Sequence, residues 1–479
     1  MREETGELRQ VRRRLREILG DDRFWTKRED LAVYGYDASG LRFMPWGVAF
    51  PNSADEIGRI LRLANEEGFY VIPRGAGTGM TGGSLPVRSG LVLALGRMNR
   101  ILEVDEENMV AVVEPGVITG RLQEEVERVG LFYPPDPASL HVSTIGGNVA
   151  ECAGGARAVK YGVTRDYVLG LEAVLPTGER IRTGVRTTKG VVGYDLTRLL
   201  VGSEGTLAVI TQVVLKLIPL PSARKTLAVS FERLKDAALT VRDIMKARII
   251  PTVLEFMDRA SIRCVQERLK TDLYEGAEAL IFVEVDGQVQ DVEVQAGKIR
   301  AVAEQNRAQT TRVAETKAEA EEMWKFRRSI SPALFHYAPH KINEDIVIPR
   351  SRIPEMISKI EAVGREYGLL VTTFGHAGDG NLHVNVMLDK RDPNQAEQAR
   401  KAVEEVFRET VRLGGTLSGE HGVGLTKAPF IELELDSLGL DVMKRIKKAF
   451  DPNGILNPGK IFPEGPRDRA VYRIFHAEP

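Results

Sequence analysis

The segment Ile72-Pro73-Arg74-Gly75-Ala76-Gly77-Thr78-Gly79-Met80-Thr81-Gly82-Gly83-Ser84 constrains this chain more than any other. It follows Phe69-Tyr70-Val71-Ile72, an apolar run that reads as a short buried strand. Five glycines in thirteen residues let backbone N–H groups converge at φ/ψ values that a Cβ forbids, which is how a chain cradles an anion. Thr78, Thr81 and Ser84 add hydroxyl donors, and Arg74 adds charge. A pyrophosphate suits such a cradle; a flexible surface loop is the competing reading. The spacing excludes two common phosphate loops. Gly75-x-Gly77-x-Gly79 lacks the Lys-Ser/Thr ending of a Walker A loop, and no long helix pattern follows it as the dinucleotide fingerprint requires.

At 479 residues the chain is too long for one core, and two or three domains are expected. Basic and acidic residues balance, 66 against 67, so no overall field favours nucleic acid or an anionic membrane. The two cysteines, Cys152 and Cys264, have no metal-type spacing. They fit a reducing compartment rather than a disulfide framework, and no apolar run approaches the length of a membrane span. The charged N-terminus, with Glu3, Glu4 and Glu7 among arginines, lacks the apolar core of a signal peptide. Leu8, Val11, Leu15 and Ile18 fall on one helical face of an N-terminal segment 1–44, and Arg12-Arg13-Arg14 read as a solvated face.

From 45 to 221 short strands, tight turns and occasional helices alternate. Ser53 is placed to cap a helix that ends at Gly68 and delivers the chain into the strand before the glycine-rich loop. A helix pattern spans 119–129 and stops at Gly130, and Tyr133-Pro134-Pro135-Asp136-Pro137 is stiff and extended. Ser143-Thr144-Ile145-Gly146-Gly147-Asn148 and Gly154-Gly155 again permit close approach of backbone to a ligand. Two strand patterns flank the turn Thr177-Gly178-Glu179, and a long β-type run ends at Pro219 and Pro221, marking a boundary.

The order Pro73-Arg74-Gly75-x-Gly77-Thr78, Pro134-x-Asp136, Thr144-x-Gly146-Gly147-Asn148, Tyr161-Gly162 and Gly202-Ser203-Glu204-Gly205-Thr206 resembles the vanillyl-alcohol-oxidase-type FAD-binding fold. The resemblance implies an α+β domain in which two subdomains clamp FAD, with the glycine-rich loop on the pyrophosphate. It implies cofactor contacts from Pro73, Arg74, Gly75, Ala76, Gly77, Thr78, Gly79, Gly82, Gly83 and Ser84. Further contacts are implied at Pro135, Asp136, Ser143, Thr144, Gly146, Gly147, Asn148, Gly154, Tyr161, Gly162, Glu204, Gly205, Ile210 and Asn457. Some members tether the flavin through His or Cys. Here the only histidine before position 336 is His141 and the loop has none, so a noncovalent FAD is expected.

Residues 222–415 read as an α/β substrate or cap domain, ferredoxin-like, with strands at 227–231, 253–257 and 280–285 between helix patterns. A helix pattern at 318–335 carries Arg327, Arg328 and Ser331, followed by a loop with His336, His340 and Lys341. A C-terminal segment, 416–479, contains a helix pattern near 439–450 and returns to the FAD site; its last fifteen residues are polar with no evident role.

His376-Ala377-Gly378-Asp379-Gly380-Asn381-Leu382-His383-Val384-Asn385 places a tight-turn signal between two strand patterns. Such a turn can bring His376 and His383 together, and His383 shares a face with Asn385. Ser418-Gly419-Glu420-His421-Gly422 adds a carboxylate and an imidazole. Two imidazoles and a carboxylate suit a catalytic zinc, manganese or iron, although the spacing alone favours two structural histidines. HAGDGNLH together with SGEHG is similar to the FAD-dependent D-2-hydroxyacid dehydrogenases, which include D-lactate and D-2-hydroxyglutarate dehydrogenases and the flavin subunit of glycolate oxidase. That resemblance implies His376, His383 and Glu420 as metal ligands, Asn385 beside them and His421 as catalytic base. It also implies Arg327, Ser331 and Lys341 as the substrate-carboxylate site.

The implied activity is oxidation of a D-2-hydroxy acid to the 2-oxo acid. The electrons would pass to a quinone, a cytochrome, an electron-transfer flavoprotein or an iron–sulfur subunit rather than to oxygen. No nucleic-acid partner is expected; a homodimer and a cytoplasmic location, peripheral at the inner face of the membrane, are compatible with the chain. Alkyl-dihydroxyacetone-phosphate synthases share the fold without net redox chemistry and are the alternative.

Overall fold

In a computed structural model, residues 6–463 and 474–476 are described. Most of the polar last fifteen residues and all of the charged N-terminal stretch 1–5 lie outside them. The chain divides into two compact units. One comprises Met1–Ala153, Val163–Leu220 and Glu420–Arg467; the other comprises Gly154–Gly162, Pro221–Gly419 and Asp468–Pro479.

The first unit holds two main sheets besides the short antiparallel pair Leu131–Phe132 with Ile218–Pro219. Ser53 accepts from Glu56 N at 3.2 Å and Gly68 turns left-handed (φ 72°), bounding the helix Ala54–Glu67. That helix crosses from the strand Gly47–Ala49 to Val71–Arg74, and both pair in parallel with the strand Leu91–Ala94 between them. The N-terminal stretch is not a separate helical segment. Phe24–Trp25 adds an antiparallel strand on the Gly47–Ala49 side. Val11, Leu15 and Leu19 of the helix Gly6–Leu19 enter the core shared with Ile57, Ile60 and Leu61. Burial of three such side chains contributes roughly 5–8 kcal/mol before ordering entropy, and the helix has no other place to hide that face.

The second sheet is a five-stranded antiparallel one, with Val209–Lys216 at its centre between Val110–Val113 and Val168–Val174. The last chain segment closes the first sheet: Val71 N donates to Ile455 O and Asn457 N donates back to Val71 O, both at 2.9 Å.

The second unit is built on a seven-stranded antiparallel sheet. Its order is Thr310–Val313, Ala223–Phe231, Ala279–Gly287, Val253–Asp258, Leu370–His376, Asn381–Leu388 and His340–Val347. Helices Leu234–Lys246, Arg259–Leu269 and Val289–Gln305 connect its first four strands along the chain. Gly154–Gly162 belongs here as well, although nothing in the sequence separates it from the residues around it. Lys160 Nζ and Tyr161 Oη both donate to Asp286 of the sheet, at 2.5 and 2.9 Å.

Two local expectations are corrected. The helix pattern 318–335 is two helices, Lys317–Arg328 and Ile330–Leu334, because Pro332 has no N–H for Arg328 O and is tolerated only in a first turn. His340 and Lys341 are not in a loop; they open the strand His340–Val347.

Candidate functional site

In the first unit the glycine-rich loop leaves the end of Val71–Arg74 and forms an inward cradle. Among the described residues, none of the backbone N–H groups of 76–84 meets a protein acceptor. Gly77 (φ 72°) would drive a Cβ into the Arg74 guanidinium, and a Cβ at Gly75 would collide with Thr144 Oγ1. The loop therefore offers a row of donors over a floor too close for side chains, which fits a pyrophosphate.

Arg74 is part of that floor. It is buried, and it donates to Ser84 Oγ at 3.1 Å and to Tyr36 O at 2.7 Å, so its guanidinium shapes the loop from beneath. Burial lowers its pKa against the pull of Asp37.

The other cradle residues gather in the same unit. Thr144 caps the short helix Ile145–Glu151. Asn148 Nδ2 donates to Thr119 Oγ1 at 2.7 Å, and Thr119 meets Ser143. Pro135 O accepts from Gln123 Nε2 at 2.9 Å, and Ile210 is buried in the central strand. Glu204 is committed to the chain itself: its two carboxylate oxygens accept from Val423 N and Gly424 N, both at 2.7 Å. Asn457 Nδ2 bridges Gly83 O (2.9 Å) and Glu204 O (2.7 Å). Thr81 Oγ1 donates to His421 O at 3.1 Å, and Leu425 N to Thr81 O at 2.7 Å. The loop carrying His421 is thus laced to the cradle. Gly154, Tyr161 and Gly162 fall in the other unit, with the Tyr161 hydroxyl on Asp286.

In the second unit strand register does the assembling. Glu255 lies opposite His376, Phe374 lies opposite His383, and His383 lies opposite Asp345. The next rows add Thr372, Asn385 and Asn343, then Met387 and Lys341. Directly opposed residues share a face, so one face carries Glu255, His376, His383, Asn385, Asn343 and Lys341. Gly380 (φ 92°) makes the reversal between the histidine strands; a Cβ there would strike Ile348 O.

The imidazoles meet with Nε2 atoms 3.4 Å apart, both rings buried. His376 Nδ1 is hydrogen-bonded to Glu255, which also accepts from Arg327 Nε at 2.7 Å. Burial alone would raise the Glu255 carboxyl, but Arg327 and His376 overrule it and hold it well below the usual carboxylate range. Arg327 also lies over the Phe374 ring at 4.8 Å. Much of its fork is thereby occupied, and Lys341 is the less committed cation. Its Nζ donates to Ser331 Oγ at 2.6 Å, and burial pushes it down to about 8 with no carboxylate opposing among the described residues.

Asn385 accepts from Asn343 Nδ2 (2.8 Å) and donates to His383 O (3.1 Å). Among the described residues, Thr372 Oγ1 and Asn343 Oδ1 are buried without a protein partner, as expected of a polar ligand site. Gly419 N donates to Asp345 O and to Asp345 Oδ2, each at 2.9 Å, pinning the chain one peptide short of Glu420. The facing nitrogens, followed in the chain by a carboxylate, are the donor chemistry of a divalent metal.

Glu255, Thr372 and Asn343 escaped the sequence analysis. Glu255 left a signal, a lone carboxylate inside Val253-Leu254-Glu255-Phe256-Met257, where an unpaired charge would be costly.

A glycine-rich cradle on an α+β unit, joined to a large antiparallel sheet, defines a FAD-binding oxidoreductase of the vanillyl-alcohol-oxidase type. Residues 45–184 match the FAD binding domain family and residues 220–461 match the FAD linked oxidases, C-terminal domain. The chain belongs to the FAD-linked oxidases.

It is 46% identical to the glycolate oxidase subunit GlcD of Bacillus subtilis, covering 96% of this chain and 98% of that one. It is 36% identical to the D-lactate dehydrogenase of Anaerostipes hadrus, covering 90% and 91%. Among solved structures it resembles p-cresol methylhydroxylase (TM-score 0.81, 19% identity, 96% of this chain and 98% of that one). Alkyldihydroxyacetonephosphate synthase resembles it at TM-score 0.72 and 20% identity, covering 94% and 84%. Those two likenesses carry the fold alone. Among the described residues, no helix is long and apolar enough to cross a membrane.

Proposed function

We infer that the protein oxidises a D-2-hydroxy acid, of the glycolate, D-lactate or D-2-hydroxyglutarate kind, to the 2-oxo acid. The observation that carries this reading is the pair of imidazole Nε2 atoms 3.4 Å apart, on a sheet face that also presents Lys341, whose Nζ is held by the neutral Ser331. A divalent cation, zinc above manganese or iron, is assigned to His376, His383 and Glu420, with FAD held noncovalently. The names of the relatives support the substrate class and do not favour the transferase alternative. The Bacillus relative's name as a subunit supports a protein partner, such as an iron–sulfur subunit, as electron acceptor.

When bound, FAD supplies the acceptor for two electrons and the cation supplies Lewis acidity towards the alcohol oxygen. The chain does the rest. Lys341 and Ser331 hold the substrate carboxylate, with the Arg327 Nη1 left over from Glu255 as a second donor. Asn385, fixed between Asn343 and the His383 carbonyl, orients the bound acid. His421 takes the hydroxyl proton, a task suited to an imidazole near neutral pH. Holding the acid at its carboxylate and its hydroxyl fixes which face of C2 is presented, and hence the stereochemistry.

The test is anaerobic. The purified yellow protein is mixed with D- and L-2-hydroxy acids and the flavin absorbance is followed. D-acids should bleach it, and acid precipitation should leave intact FAD in the supernatant. Bleaching by L-acids alone refutes the stereochemistry, and bleaching by neither refutes the substrate class.

A further inference from the structure

We propose that Glu255 is a positioning residue that serves the metal site and the substrate-carboxylate site at once. It fixes His376 as a metal ligand and anchors Arg327. The proposal rests on the metal reading above.

The geometry is confined to one sheet face. Glu255 lies opposite His376 across adjacent antiparallel strands, is 1% exposed, and among the described residues is hydrogen-bonded to His376 Nδ1 and the Arg327 guanidinium. A carboxylate beside a guanidinium can only accept, so His376 Nδ1 must donate to it. The neutral ring then carries its lone pair on Nε2, the atom that faces His383 Nε2. A carboxylate behind a ligating imidazole both selects the tautomer and strengthens the ligand. The same carboxylate, through Nε and the second terminal nitrogen, sets the plane of the Arg327 fork over Phe374. Metal affinity and the carboxylate clamp therefore share one anchor, although neither Glu255 nor its backbone need touch metal or substrate.

The test uses the full-length, FAD-loaded protein, stripped of metal with a chelator and then equilibrated by dialysis against Zn2+, with Mn2+ in parallel. Bound metal is measured directly, without turnover. Glu255→Gln should retain FAD and its circular dichroism spectrum yet bind metal about 10–100-fold more weakly, the usual cost of losing such a partner. Because this change leaves the Arg327 cation without its carboxylate, the double variant Glu255→Gln/Arg327→Met is made beside it. It should show the same loss, since His376 lacks its carboxylate in both. Metal affinity within about threefold of the parent in either folded variant overturns the proposal while leaving the metal site intact. A parent protein that takes up neither metal, or whose metal survives His376→Ala, overturns the metal reading and this proposal with it.

Discussion

Replacing Lys341 by Met should make the protein more stable at neutral pH while removing its hold on carboxylates. Burial lowers the ammonium from 10.5 to about 8, and its hydrogen-bond partner, Ser331, is neutral. Below pH 8 folded and unfolded chains both carry the proton, and the folded state bears the whole cost of a poorly hydrated charge. Between pH 8 and 10.5 the folded state releases its proton first. The unfolded state then binds more protons, and stability rises with pH through that window. Above it both states are neutral and the cost has gone.

The drop from 10.5 to about 8, at about 1.4 kcal/mol per pKa unit, is worth about 3 kcal/mol. Lys341→Met should therefore gain up to about 3 kcal/mol at pH 7, and the gain should fade towards zero by pH 10.5. Urea unfolding of both proteins over that pH range gives the difference directly, and subtraction removes the tyrosines and cysteines that titrate alongside. A carboxylate ligand needs the charged lysine, so binding of a 2-oxo acid to the parent should weaken about tenfold per pH unit above 8. A stability difference that stays flat from pH 7 to 10.5, or a Met variant less stable at pH 7, refutes the reasoning.

Two further changes test the cradle. Asn457→Ala strands the buried carbonyls of Gly83 and Glu204, at about 1–3 kcal/mol each, and should lower the melting temperature and the FAD content after desalting; full flavin occupancy at an unchanged melting temperature would contradict that role. Gly75→Ala forces a methyl group against Thr144 Oγ1 and should yield folded but colourless protein, so a yellow variant with parental FAD affinity would show that the loop can give way.

What could be read from the sequence was local. Ser53 and Gly68 bound their helix because capping chemistry acts over one turn. Asp379-Gly380 announced the reversal that joins His376 to His383, since a turn and the strands beside it are a single short-range object. The failures involve partners far apart in the chain. Glu255 and His376 are 121 positions apart, and only the strand order places them opposite one another. The bonds of Arg74 to Ser84 and to Tyr36 O were not legible either, because they depend on how the loop folds back. Arg327 and Glu255 are 72 positions apart, so the sequence could not show that a carboxylate already takes part of the guanidinium fork. Pro332 was a short-range signal passed over, since a proline in a first turn starts a helix as readily as it ends one.

The edge strand that launches the glycine-rich loop has its outer neighbour supplied by Ile455–Asn457. Asn457 and the Gly83 carbonyl it holds are 374 positions apart. At about 5–20 residues per second on the ribosome, the loop waits roughly 20–75 s for that partner to be made. Until then the Val71 edge of the strand and the Gly83 carbonyl lack the partners they hold in the folded chain, so the finished cradle depends on the C-terminal segment having been made.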